Sequence, residues 1–189
     1  MKCDIRKYFD SIPHGLLLRQ LHRKFKDPMV LLWFEKLILT YEKTPGRGLP
    51  IGNLTSQYFA NLYLDGVDRQ VSPYVRYMDD FIFWADEKEI LIETRGRVEA
   101  FLKDVLSLEL KREPIVNRTT AGMDFLGFRV FPERVGLARN SVKRYFRRTR
   151  AIMKSGMDET VAQVRLTSMT AFVRQADTLS LRKERFGKI

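Results

Sequence analysis

The sequence predicts an α+β protein: a βαββαβ sheet with helices on one face, then a hairpin and a basic helical tail. Three observations predict it. Short β-prone runs alternate with longer stretches of helical period. Residues 75–86, VRYMDDFIFWAD, read as a hairpin with two adjacent acids at its tip. The last quarter of the chain changes to a helical pattern crowded with Lys and Arg.

Taken in order, KCDIRKYF (2–9) reads as a strand ending in a turn near Pro13. Leu16, Leu17, Leu18, Leu21 and Phe25 then form a helical stripe. Asp27-Pro28 is an N-cap followed by proline at the first helical position, opening a helix to about Tyr41. KTPGRGLPIGN, rich in proline and glycine, is a loop, and Thr55 or Ser56 caps a helix through about Leu64. After the 75–86 hairpin, Leu91, Thr94, Val98, Phe101, Leu102 and Val105 share one face of a helix over 88–106. A strand follows around Leu108 to Val116, with Pro114 marking it as an edge or interrupted strand. DFLGFRVFP and VGLAR form a second hairpin around Glu133-Arg134. From Ser141 a helix runs to Ser155-Gly156, with Val142, Tyr145, Phe146, Thr149, Ile152 and Met153 on one face, and Asp158 caps another to about Gln175. Strand, helices, hairpin, helix and strand give the split-βαβ, ferredoxin-like order.

Composition narrows the function. The 189 residues are 44% hydrophobic and 12% aromatic, ample for a core. The longest apolar run, MVLLWF, is too short to span a bilayer, and no secretory leader opens the chain, so the default expectation is cytoplasmic with no membrane partner. One cysteine and two histidines exclude a disulfide framework and a Cys/His zinc site. The net charge of +11 is uneven: residues 139–189 hold 13 Lys+Arg against 4 Asp+Glu, whereas residues 1–138 hold 21 against 19. A nearly neutral body with a basic tail points to a polyanion, most often nucleic acid.

The acids give the sharper signal. In this topology the first and third strands are central neighbours, so Asp4 on the first should meet Asp79 and Asp80 at the hairpin tip. Such a cluster needs cations, and an all-oxygen, highly charged set suits Mg²⁺. A pair of Mg²⁺ ions ~3.5–4 Å apart serves in-line phosphoryl transfer. For a lone DD the plainer reading is a solvated turn, since Asp is a common turn residue.

Four blocks in order weigh against that reading. YMDD, KCDIRKYFDSIPH, GLPIGNLTSQYFANLYLD and MDFLGFRVFP resemble the catalytic, nucleotide-contacting and primer-grip blocks of reverse transcriptases, over essentially the whole chain. IGNLTSQ is similar to the enzymes of diversity-generating retroelements, where group II intron and retron enzymes usually carry QG and SP. The resemblance implies a polymerase palm over 1–138, including the primer-grip hairpin, and a basic helical thumb over 139–189. It implies two Mg²⁺ ions held by Asp4, Asp79, Asp80 and the Ile5 carbonyl, with the three acids catalytic and Asp80 the assisting member.

The nucleotide site it implies comprises Phe9, Ile51, Gly52, Ser56 and Gln57. Phe9 stands at the steric-gate position, where a ring would collide with a ribose 2′-OH. Ile51 replaces the usual glutamine, consistent with relaxed fidelity. Phe125, Leu126 and Gly127 match the primer grip, and Lys143, Arg144, Arg147, Arg148 and Arg150 are expected on backbone phosphates. Lys111 and Arg112 fall near a family lysine that protonates pyrophosphate, with altered spacing. Asp10 is assigned to local hydrogen bonding, and His14 and His22 to helix-start and surface positions.

Expected partners are an RNA template, a DNA or RNA primer, dNTPs and a small accessory retroelement protein. The family carries a fingers region upstream of the first acid, whereas Met1 is three residues before Asp4, so a palm-and-thumb fragment is expected. Three readings stand beside the retroelement enzyme: an inactive nucleic-acid-binding fragment, a group II intron or retron type, and an RNA-dependent RNA polymerase. Phe9 and YMDD speak against the last.

Overall fold

A computed structural model describes residues 1–111 and 113–179. The chain divides into two compact units, Met1–Val116 and Asn117–Ile189. Among the described residues no helix is long and apolar enough to cross a membrane.

The first unit is built on β1 (Lys2–Asp4), β2 (Tyr74–Tyr77) and β3 (Asp80–Phe83), antiparallel in the order β1-β3-β2. The 108–115 segment lies along the other side of β1. It is joined by bridges Ile5↔Leu110 and Lys2↔Ile115 and by bonds from Arg6 N–H to Glu109 C=O (2.8 Å) and Lys111 N–H to Asp4 C=O (2.9 Å). This reproduces the expected βαββαβ strand order. Among the described residues only isolated bridges join that segment, and Pro114, beside the second, has no N–H to offer a ladder.

Alternation sorts the sheet into two faces. Cys3, Phe81 and Phe83 are buried, with the two phenyl rings stacked at 6.3 Å. Lys2, Asp4, Asp80 and Ile82 occupy the opposite, more open face. Over the buried face pack α2 (His14–Lys24), α4 (Leu54–Tyr63) and α6 (Lys88–Asp104), through Leu17, Leu21, Tyr63, Val98 and Leu102. The Tyr63 hydroxyl donates to Leu106 C=O at 2.6 Å. α3 (Pro28–Leu39) has the predicted cap, Asp27 accepting from the Met29 and Val30 amides. The short α5 (Asp65–Asp68) leads towards β2.

Four local expectations change. The strand of 2–9 stops at Asp4; Lys7 turns the chain with φ 46°, and α1 (Tyr8–Ser11) follows. Tyr8 within it and Ile12 just beyond it are both buried. α4 starts two to three residues earlier than expected, with Asn53 at the cap position and Ser56 buried inside the helix. Phe25 lies beyond α2 and is exposed, outside the stripe that Leu17 and Leu21 bury. His14 is at the helix start as expected but is buried, its Nε2 2.7 Å from the Gly48 carbonyl oxygen.

In the second unit β4 (Met123–Phe125), β5 (Phe128–Val130) and β6 (Val135–Leu137) form an antiparallel meander. DFLGFRVFP is thus not one arm of a hairpin. It folds on itself at Leu126-Gly127, whose φ values of 50° and 86° match the primed two-residue turn that suits twisted strands. The turn at Glu133-Arg134 is the second of two. α7 (Arg139–Lys154) and α8 (Glu159–Arg174) follow, the latter capped by Asp158 as predicted. The unit boundary after Val116 groups this hairpin, placed with 1–138 in the sequence division, among the C-terminal helices.

Candidate active site

The site grows from the register of β1 on β3. Asp4 and Asp80 are direct cross-strand partners, with side chains on the open face. Asp79 precedes β3 in a tight turn whose other member, Met78, has φ 54°. The Asp79 carbonyl accepts from the Ile5 amide at 3.3 Å, tying the turn to the end of β1. The sequence thus brings both acid-bearing segments together through backbone pairing, before any side chain is considered.

Two like charges facing each other across strands destabilise a sheet unless compensated. Here each has a lysine. Lys111 Nζ is 2.6 Å from Asp4 Oδ2, and Lys2 Nζ is 2.8 Å from Asp80 Oδ2. The second oxygens, Asp4 Oδ1 and Asp80 Oδ1, are buried without a hydrogen-bond partner. The Asp79 carboxyl is pushed above the usual carboxylate range, chiefly by burial. Its own amide and Lys111 oppose the rise, while the charges of Asp4 and Asp80 add to it.

Buried unpartnered carboxylate oxygens are costly, and a divalent cation is the natural complement. The free Oδ1 atoms of Asp4 and Asp80 therefore suit a hard metal ion. The convergence is looser than expected, however. Among the described residues no three His, Cys, Asp or Glu side chains gather as a metal-holding group.

The other expected residues fall in separate places. The Leu49 amide donates to Phe9 C=O at 2.8 Å, bringing Phe9 beside the loop that carries Ile51 and Gly52. Ile51 is 80% exposed and Gly52 has φ 102°, so the loop tip is exposed. Gln57 is exposed, whereas Ser56 faces the interior of the unit. Phe125, Leu126 and Gly127 end β4 and make its turn, and Lys143, Arg144, Arg147, Arg148 and Arg150 are all exposed on α7. Arg112 lies outside the described residues.

Sequence reasoning missed two supports. Lys2 is two residues from Asp4 on a strand, so it shares that face, and this spacing was the available signal. Arg76 makes a two-pronged bond to Asp68 at 2.7 and 2.6 Å, while its Nη1 reaches Asn61 Oδ1 at 3.2 Å and Met78 C=O at 3.1 Å. One guanidinium thereby ties α4, α5 and the YMDD turn together. Nothing in the local sequence pairs Arg76 with Asp68, because the contact depends on how α5 meets the sheet.

Comparisons with known proteins bear on the family and the fold. The chain is 27% identical over 179 residues to protein YkfC of Escherichia coli strain K12, covering 69% of this chain and 46% of that one. It is 31% identical over 77 residues to a putative COX1/OXI3 intron 2 protein of Saccharomyces cerevisiae, covering 36% and 9%. It thus spans less than half the length of these relatives. Among solved structures it resembles telomerase from Candida albicans, determined with a fragment of telomeric RNA. The TM-score is 0.58 at 12% identity, covering 97% of this chain and 39% of that one, a likeness of fold. The family model for reverse transcriptase (RNA-dependent DNA polymerase) matches residues 1–130. With that match over most of the chain, and YMDD set against Asp4 across the central strands, the chain belongs to the reverse transcriptase family.

Proposed function

We propose that this chain is the palm and thumb part of an RNA-directed DNA polymerase of the diversity-generating retroelement type. It would add dNTPs to a primer on an RNA template. The observation that carries this reading is the cross-strand pair Asp4–Asp80, each with one buried oxygen that has no donor. IGNLTSQ supports the retroelement type over the group II intron and retron types.

Asp4, Asp79, Asp80 and the Ile5 carbonyl would hold two Mg²⁺ ions, which when bound supply charge stabilisation to nucleotidyl transfer. Lys2 and Lys111 balance the acids and keep them apart without the cations. Phe9 and the Ile51–Gly52 loop tip would bound the sugar and base of the incoming dNTP, with Ser56 and Gln57 in the following helix. The Phe125–Gly127 turn would hold the primer, and α7 the backbone. The Lys111 ammonium carries a proton that pyrophosphate can accept as it leaves. A small accessory protein is the expected further partner.

The exposed cations of α7 favour a second reading, a binding fragment without catalysis. Primer extension on an RNA template with Mg²⁺ separates the two. Wild type should extend and Asp79→Asn should not. Extension indifferent to the substitution would refute the catalytic assignment, and binding without any extension would favour the fragment.

A further inference from the structure

α7 and α8 enclose a half-open cleft of about 340 Å³. Arg144 and Arg148 line it, one helical turn apart, together with Ser141 and Tyr145 of α7 and Ser168 and Phe172 of α8. Guanidiniums at this spacing repel each other, and among the described residues neither has an ion-pair partner. The three aspartates among the described residues of this unit are engaged elsewhere: Asp124 meets Arg129, Asp158 caps α8, and Asp177 accepts from the Val135 amide. Lys143, Arg147 and Arg150 are not part of the lining. The seven cations of α7 are therefore not equivalent.

The β4–β5 turn adjoins the cleft. A Cβ on Gly127 would stand 2.9 Å from Ser141 Oγ, 3.2 Å from Phe172 Cζ and 4.0 Å from Arg144 Nη2. Glycine here lets the turn's backbone approach the arginine side of the cleft. A strand held at Leu126-Gly127 would pass directly by the guanidiniums.

The geometry points to a phosphate subsite: the cleft takes one backbone phosphodiester of a nucleic-acid strand. Arg144 and Arg148 donate to the phosphate oxygens, the Ser168 hydroxyl is a further donor, and Tyr145 and Phe172 form an apolar floor for the sugar. Planar guanidiniums suit this ligand better than the point charge of lysine. The inference deepens the thumb's role in the polymerase reading and rests on nucleic-acid binding, not on catalysis.

The test is fluorescence anisotropy of a labelled RNA–DNA primer–template duplex with the full chain, across a salt series. Arg144→Ala/Arg148→Ala should weaken binding about 10-fold or more and reduce the salt slope by about one phosphate contact. Arg147→Ala/Arg150→Ala, which removes the same charge, should cost less than about 3-fold. Equal losses from the two doubles would overturn the subsite. Ser168→Tyr, at an exposed position, fills the cleft without altering charge and should weaken binding several-fold; undiminished affinity would overturn it. Inorganic phosphate should compete only at tens of millimolar, and tight phosphate binding that the duplex fails to displace would overturn the strand assignment. Asp79→Asn should bind normally, so a chain that binds through the cleft but never extends a primer refutes the polymerase reading alone.

Discussion

The two units place like charges on an outward face above a packed one, and they compensate them differently. On the first sheet, Asp4 and Asp80 each have one lysine partner and one buried oxygen left over. On α7, Arg144 and Arg148 stand above buried Ser141, Tyr145 and Thr149, with no acid partner among the described residues. Half-compensated acids set into a sheet are a rigid demand for a small cation. Uncompensated arginines on a helix are a softer demand for an extended polyanion, met by water and salt in the meantime. Rigidity belongs to chemistry on a reacting atom, and tolerance to a strand that must slide.

The largest effect should separate these roles. Asp79→Asn is expected to lower primer extension about 1,000-fold or more, a loss typical of removing strong transition-state stabilisation. Duplex affinity should stay within about 2-fold, because a sequence-independent backbone grip is governed by the cations. A parallel fall in affinity would mean that the acid face and the basic helix do not divide the work in this way.

A second effect falls on the support of the acid face. Arg76 is largely buried and Asp68 partly so, their side chains being 10% and 29% exposed. Arg76→Met leaves Asp68 with the Tyr74 hydroxyl but without its cation, and Met78 C=O without this donor, at a cost of about 2 kcal/mol after allowance for the exposure of Asp68. Urea denaturation should register it, and adding Asp68→Leu should recover part of the loss, because the stranded charge is then gone. An unchanged midpoint in Arg76→Met would show that the YMDD turn holds its shape without the guanidinium.

What could be read in advance follows the same division. The acid face was legible because backbone pairing fixes it: alternation puts Asp4 opposite Asp80 once the strand order is known. The caps at Asp27 and Asp158 were legible because they are local. Lys111 drew notice only by its place in the chain, and its ion pair with Asp4 depends on the 108–115 segment lying along β1. Arg76–Asp68 and the α7–α8 cleft were not legible, since each depends on how two helices or a helix and a sheet meet. The meander was misread because Leu126 had to adopt positive φ, which a branched apolar residue rarely does and no propensity anticipates.

Gly127 tests the basic side alone. With φ 86° and neighbours at 2.9 and 3.2 Å from the position of a Cβ, Gly127→Ala should destabilise its unit by about 1–2 kcal/mol. Weaker duplex binding should accompany the loss while Lys2–Asp80 and Lys111–Asp4 are untouched. Unaltered stability and affinity would uncouple the turn from the cleft.

The smallest effect concerns the layer beneath the acids. Cys3, the only cysteine in the chain, alternates with Lys2 and Asp4 on β1 and points into the core. Burial pushes its thiol up from 9.0 to about 11, with Arg95 and the N-terminal ammonium working against the rise. The unfolded chain therefore releases this proton at lower pH than the folded one. The stability tied to the protonated thiol is complete below about pH 9 and is lost as pH climbs towards 11, on the order of 1 kcal/mol by pH 10. Wild type should lose that much relative to Cys3→Ala between pH 8 and 10, and iodoacetamide should label the native thiol far more slowly than the urea-unfolded one. Because the second unit has no cysteine, both readouts report on the acid-bearing unit alone. Rapid native labelling would place water directly under Asp4 and Asp80, and the unpartnered oxygens would then need no cation to account for them.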